Sequence, residues 1–146
     1  MLADRIALLI DGELQQYDAA RALYTRPVSL AVAHFFRNGN LLPGTRCGSY
    51  VKTCVGTFRV EPTLCQPDGP VFLTARPEES TLVDMPGENT FTTTVTDHIF
   101  LGTYTGVEVA VGERRWRLHA SADVCVQTGQ TVHVHLPPKR IWLLSQ

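Results

Sequence analysis

Arg115, Arg117 and His119 alternate with Trp116, Leu118 and Ala120, and further on His133 and His135 alternate with Val132, Val134 and Leu136. Residues two apart on an extended strand share a face. Each set therefore lines one side of a strand, and if the two strands pair, the five side chains form one basic stripe. Such a stripe could hold an oxyanion or a phosphate backbone. The same alternation also describes the solvated outer face of a sheet whose other face is buried. His133 and His135 could meet a metal, but no third ligand is identifiable, so no metal site is assigned.

Arg76-Pro77-Glu78 is a second candidate, read either as a ligand or partner contact or as a structural motif. Pro77 fixes φ and ends a strand, while Arg76 and Glu78 can bridge or hydrogen-bond neighbouring backbone. Asp97-His98 sets an acid beside a base, yet adjacent strand residues point to opposite faces, and no serine or cysteine nucleophile motif accompanies them. No catalytic residue is assigned. Cys47, Cys54, Cys65 and Cys125 contain no C-x-x-C pair, which argues against a zinc ribbon or a thioredoxin-type centre. They are expected to be reduced structural thiols.

The elements that must position these residues fall into two textures. Residues 5–10 read Arg-Ile-Ala-Leu-Leu-Ile, a continuous apolar run that suits a strand buried on both faces. Asp11-Gly12 is a hairpin signal, and residues 13–17 return as a half-exposed strand. Asp18 is placed to cap a helix over residues 19–24, which Pro27 stops; Ser29 is placed to cap a second, with Val32, Phe35 and Phe36 on its core face. Such a unit cannot cover its own apolar surface, so it resembles the last piece of a larger α/β domain. Then comes Asn38-Gly39-Asn40-Leu41-Leu42-Pro43-Gly44, where Asn and Gly tolerate positive φ and Pro-Gly favours a turn. The chain is expected to change direction there, dividing residues 1–40 from 41–146.

From residue 45 onward the signals are almost all β, with period-two alternation broken by Pro62, Pro67-Asp68-Gly69-Pro70, Pro77, Gly112-Glu113, Gly129 and Pro137-Pro138. Short strands at this spacing predict a small closed or nearly closed barrel of the oligonucleotide/oligosaccharide-binding (OB) type, which protects edges that a flat sheet exposes. The fold class is therefore mainly β, an OB-type barrel preceded by a short α/β remnant. The net charge of −1 gives no electrostatic reason to expect nucleic acid or an anionic membrane as partner. The longest apolar runs are far too short to span a bilayer, and the opening Met1-Leu2-Ala3-Asp4-Arg5 does not read as a signal peptide.

Leu2-Ala3-Asp4-Arg5-Ile6-Ala7, Asp11-Gly12, Gln16, Leu23-Tyr24, Arg26-Pro27, Val32-Ala33, Phe35-Phe36 and Asn40-Leu41-Leu42-Pro43-Gly44 occur in one order and spacing. That run resembles the end of the ATPase subunits of ATP-binding cassette (ABC) importers of the maltose, polyamine and ferric-iron type. Arg76-Pro77-Glu78, Phe100-Leu101-Gly102 and Gly129-Gln130-Thr131-Val132 resemble the transport-associated OB (TOBE) domain appended to those subunits. The phosphate-cradling G-x-x-x-x-G-K-[ST] loop is absent, since neither lysine, Lys52 or Lys139, follows a glycine. The L-S-G-G-Q signature is absent too.

The resemblance implies no nucleotide-binding residue and no cofactor in this chain, with ATP and magnesium belonging to the full-length parent. It implies a regulatory domain that supports pairing of two ATPase subunits and regulation of solute import. Its partners would be a second copy, permease subunits through the full-length ATPase, and a small solute or regulatory protein. Its place would be cytoplasmic, at the inner face of the membrane. An oxyanion sensor of the molybdate type is the alternative, although Asn89-Thr90-Phe91-Thr92-Thr93 keeps only the asparagine of that family's S-A-R-N-x-L-x-G run. Binding of nucleic acid by an OB barrel ranks below both.

Overall fold

The computed structural model describes residues 3–36, 39–64 and 66–146; Leu2 and Asn38 of the motifs above, and Cys65, lie outside the described residues. The chain opens with an antiparallel ribbon of β1 (Ile6–Ile10) and β2 (Glu13–Asp18). Asp11 and Gly12 turn it with φ of 52° and 80°, the left-handed pair that a two-residue hairpin requires. Two short helices follow, α1 (Ala20–Thr25) and α2 (Leu30–Phe35). The Ser29 hydroxyl caps α2 by accepting from the Val32 N–H at 3.3 Å. Leu8, Leu23 and Val32 close a small core of their own, with Ile10 and Phe36 against it.

Three expectations for this region change. Residues 5–10 do form a strand, but Leu9 is 59% exposed, because the described sheet ends at two strands and none of the described residues covers the face opposite Leu8; Ile6, at the start of the strand, is 39% exposed. Phe35 is exposed, its ring edge-on to Phe36 rather than in the core. Asp18 sits one residue too early to cap α1: its carboxylate accepts from the Ala19 N–H, and Ala19 itself is the cap position.

The remainder is β. One sheet contains β3 (Asn40–Cys47), β4 (Tyr50–Thr53), β5 (Gly56–Arg59), β6 (Gly69–Ala75) and, from the end of the chain, β12 (Trp142–Ser145), in the order β12-β6-β3-β4-β5. The other contains β7 (Thr81–Val83), β8 (Thr90–Phe100), β9 (Tyr104–Val111), β10 (Arg114–Ser121) and β11 (Thr131–His135), in the order β10-β9-β8-β11-β7. Short 3-10 turns at Pro77–Glu79 and Pro138–Arg140 link them. All pairings are antiparallel.

The supposed turn at Pro43-Gly44 is the middle of β3. Pro43 and Gly44 stand opposite Phe72 and Val71 of β6. Gly44 is required there by closeness, since a Cβ would lie 2.8 Å from the Lys52 carbonyl oxygen and from Val51 Cγ1. The strand that follows the helical unit in sequence is thus a central one of its sheet.

Two curled sheets enclose one core, in which Phe58, Phe91 and Trp116 meet edge to face. Trp116 is fully packed, and its indole N–H donates to the buried Ser80 hydroxyl at 3.0 Å. Two buried asparagines join the sheets. Asn40 donates to the Arg117 carbonyl and accepts the Arg117 N–H, both at 2.7 Å, so that one carboxamide acts as a strand segment between β3 and β10. Asn89, just before β8, does the same for Arg59 of β5 at 2.7 and 2.8 Å, and also donates to the Leu136 carbonyl at 3.0 Å.

Candidate functional site

The five residues of the supposed basic stripe do not come together. β10 pairs with β9 alone, while β11 pairs with β8 and β7, so β9 and β8 intervene between the two sets. Arg115 and Arg117 project from the outer face and converge on Glu108 of β9, at 2.8 and 3.2 Å. His119 lies flat on the Tyr104 ring at 4.0 Å between centroids. His133 Nδ1 is 2.9 Å from the Thr92 hydroxyl, and His135 stands opposite Thr90 and Thr81. The arginines are held by a carboxylate and the histidines are distributed across the sheet. Among the described residues no group of three His, Cys, Asp or Glu side chains could hold a metal ion.

Arg76-Pro77-Glu78 occupies a more constrained position, at the end of β6 where the helical unit meets the barrel. Arg76 is 3% exposed, and its Nε–H donates to the Tyr24 carbonyl at 2.6 Å. Its guanidinium lies over the Tyr24 ring, 4.0 Å from the centroid. The Glu79 carboxylate accepts from the Arg76 N–H at 3.2 Å, and the Glu79 N–H donates to the Arg76 carbonyl at 2.9 Å, which together close the 3-10 turn, with Pro77 at its first position. Nη1 of Arg76 is buried and has no hydrogen-bond partner among the described residues. Desolvation lowers the guanidinium pKa, opposed by the nearby Tyr24, Glu78 and Glu79. The Tyr24 hydroxyl, pushed up to about 12 by burial and then by its hydrogen bond to Glu78, completes the cluster. Trp142 adds a second tie, its indole N–H donating to the Pro27 carbonyl at 2.8 Å.

Beside this junction lies a groove of about 330 Å³ across the outer face of β8, β9 and β10. Tyr24, Pro77 and Glu78 form one wall, and Asp97, Ile99 and Leu101 of β8 and its turn form the other. The register of β8 against β9 shifts between Val95 and Asp97, a β-bulge that sets Asp97 opposite Glu108. Asp97 and His98, expected on opposite faces, both border the groove, and the Asp97 carboxylate accepts from the His98 N–H. Gly106 forms the floor, with Ile99 and Leu101 the nearest neighbours to where its side chain would be. Ile99, Tyr104 and Gly106 carry no motif in the sequence, and Tyr24 and Leu101 entered only through the family resemblance, with no site role attached. The one signal that marks them is the three-residue apolar run Ile99-Phe100-Leu101 before Gly102, at a hairpin tip where polar residues are the rule.

Cys47, Cys54 and Cys125 are free thiols and are exposed, so they do not serve the core as expected. Among the described residues no helix is long and apolar enough to cross a membrane.

Comparison with known proteins bears on the fold and the family. Residues 73–144 match the model of the TOBE domain. The Fe(3+) ions import ATP-binding protein FbpC of Fusobacterium nucleatum subsp. nucleatum is 31% identical over 104 residues, covering 69% of this chain and 28% of the relative. The spermidine/putrescine import ATP-binding protein PotA of Clostridioides difficile is 25% identical over 135 residues, covering 90% and 39%. The chain thus spans well under half the length of these curated relatives. Among solved structures, the cytoplasmic molybdate-binding protein ModG with molybdate bound superposes with a TM-score of 0.58 at 14% identity, over 73% of this chain and 96% of that one. That likeness is one of fold. Residues 73–144 are a TOBE domain, and the chain matches the C-terminal part of the ATP-binding proteins of ABC importers.

Proposed function

We propose that this chain is the regulatory portion of an importer's ATP-binding subunit, acting in pairing of two such subunits and in control of solute import. The observation that carries the reading is the junction at Arg76. A hairpin-and-helix unit with an uncovered apolar face is fastened, through Tyr24 and Pro27, to a barrel of the TOBE type. A rigid joint of this kind can transmit a change in one unit to the other. The chain carries no phosphate-cradling loop, so ATP and magnesium would be held by the remainder of the full-length subunit, which would also contact the permease subunits. In this reading the protein works at the cytoplasmic face of the membrane. Sedimentation equilibrium is expected to show a dimer of the chain, and calorimetry to show no binding of ATP at micromolar concentrations. A strict monomer would remove the pairing role, and micromolar ATP binding would remove the assignment of the nucleotide site elsewhere.

The oxyanion-sensing alternative draws on the fold likeness to ModG alone. The basic groups proposed for it are separated, and its two arginines are already bound to Glu108. Calorimetry with molybdate, tungstate, sulfate and phosphate tests it directly.

A further inference from the structure

Ile99, Phe100 and Leu101 are 59%, 65% and 49% exposed, three consecutive large apolar side chains at one hairpin tip. Ile99 and Leu101 turn into the groove described above, whereas Phe100 stands outside it. A small molecule filling the groove would therefore leave Phe100 in water; a partner that covers the tip must extend beyond the cavity. The charges select among partners. Glu108 is matched by Arg115 and Arg117, and Glu78 accepts the Tyr24 hydroxyl beside the Arg76 guanidinium, which leaves Asp97, on the opposite wall, as the carboxylate without an ion pair among the described residues. Asp97 also stands directly across the strand pair from Glu108, a like-charge arrangement that an added cation would relieve. The Tyr24 and Tyr104 rings border the same space, with one face of each already covered, by the Arg76 guanidinium and by His119, so that what they offer an incoming segment is apolar contact area. The carboxylates oppose a phosphate backbone or an anionic lipid surface.

We propose that the tip and groove together receive a basic amphipathic segment of another protein. Its apolar side chains lie on Ile99, Phe100 and Leu101, and a lysine or arginine enters over Gly106 between Glu78 and Asp97. Gly106 fits this role, since a strand glycine allows close approach of another chain, and the nearest atoms a Cβ there would meet are those of Ile99 at 3.4 Å and Leu101 at 3.7 Å.

The test uses the full chain, labelled with nitrogen-15, titrated with a synthetic helical peptide of leucine and lysine. Its controls are the same peptide with glutamate for lysine, and n-butylamine. The lysine peptide is expected to shift the amides of residues 97–106 and 78. Phe100→Ser, Gly106→Val and Asp97→Asn should each weaken it by roughly tenfold, as for central contacts of an interface, while Met85→Ser, at an exposed apolar residue outside the groove, should leave it unchanged. Unaltered thermal melts of the variants establish that they fold. Equal binding of the glutamate peptide, equal affinity for n-butylamine, indifference to all three variants, or self-association of the chain through the same amides would each overturn the proposal.

Discussion

Arg76 shows how one side chain can be both a tie and a liability. Its Nε–H bond to Tyr24 is charge-assisted and contributes about 1.5–3 kcal/mol, while the unpartnered Nη1 costs about 1–3 kcal/mol. The two nearly cancel, so replacing the whole polar group should matter less than its burial suggests. Arg76→Met, which fills the space without polar atoms, is expected to change stability by no more than about 1 kcal/mol in urea unfolding. Arg76→Ala adds a cavity and loses the packing on Tyr24, and should cost about 2–4 kcal/mol. Equal losses for both variants would show that the hydrogen bond, not the packing, dominates. Tyr24 supplies a pH test. Its folded pKa of about 12 lies above the ordinary value of 10, owing first to burial and then to Glu78. Stability from this group is fully present below pH 10 and declines as pH rises toward 12. Tyr24→Phe should flatten that decline, measured as unfolding free energy against pH, and an unchanged slope would mean that other groups cause it.

At the scale of elements, the two sheets depend on two carboxamides rather than on a continuous ladder. Asn89 makes three hydrogen bonds, the one to Leu136 buried, and holds φ at 55°, a conformation that asparagine tolerates and alanine does not. Asn40 makes two such bonds. At about 1 kcal/mol per bond plus the backbone strain, Asn89→Ala should cost about 4 kcal/mol and Asn40→Ala about 2 kcal/mol. Denaturant midpoints in the reverse order would assign the main closure to the β3–β10 side.

This also explains what the sequence could and could not disclose. Strands such as β9 and β10 were legible because Val107, Val109 and Val111, or Trp116 and Leu118, keep strict alternation over a buried face. Closure was not, because it rests on single asparagines whose partners lie 30 and 77 residues away. The groove was hidden for a similar reason. A one-residue bulge before Asp97 re-aims an acid that alternation assigns elsewhere, and its other wall comes from α1, distant in the chain. The run from Ile6 to Ile10 misled in the opposite direction, because composition reports that a strand is apolar but not whether its neighbours are present.

That hairpin sets the behaviour of the whole molecule. Leu8 and Gln16 face inward; Gln16 accepts from the Val28 N–H and donates to the Arg26 carbonyl, which anchors the ribbon. On the opposite face Leu9 pairs with Leu14 and Ala7 with Tyr17, and both leucines are about 60% exposed. A two-stranded ribbon is marginal in water, and an exposed apolar face of this kind with open edges on both strands invites association. Two routes to self-association therefore coexist, an open-ended one through the hairpin and the paired one proposed for the barrel. Exposed leucines contribute little to the fold itself, so Leu9→Ser with Leu14→Ser should alter unfolding free energy by no more than about 0.5 kcal/mol. In sedimentation velocity the native chain should show dimers with larger species that grow with concentration. The double variant should keep the dimer and lose the rest. Persistence of the larger species would clear the hairpin of responsibility, and a purely monomeric variant would move the pairing surface from the barrel to the hairpin.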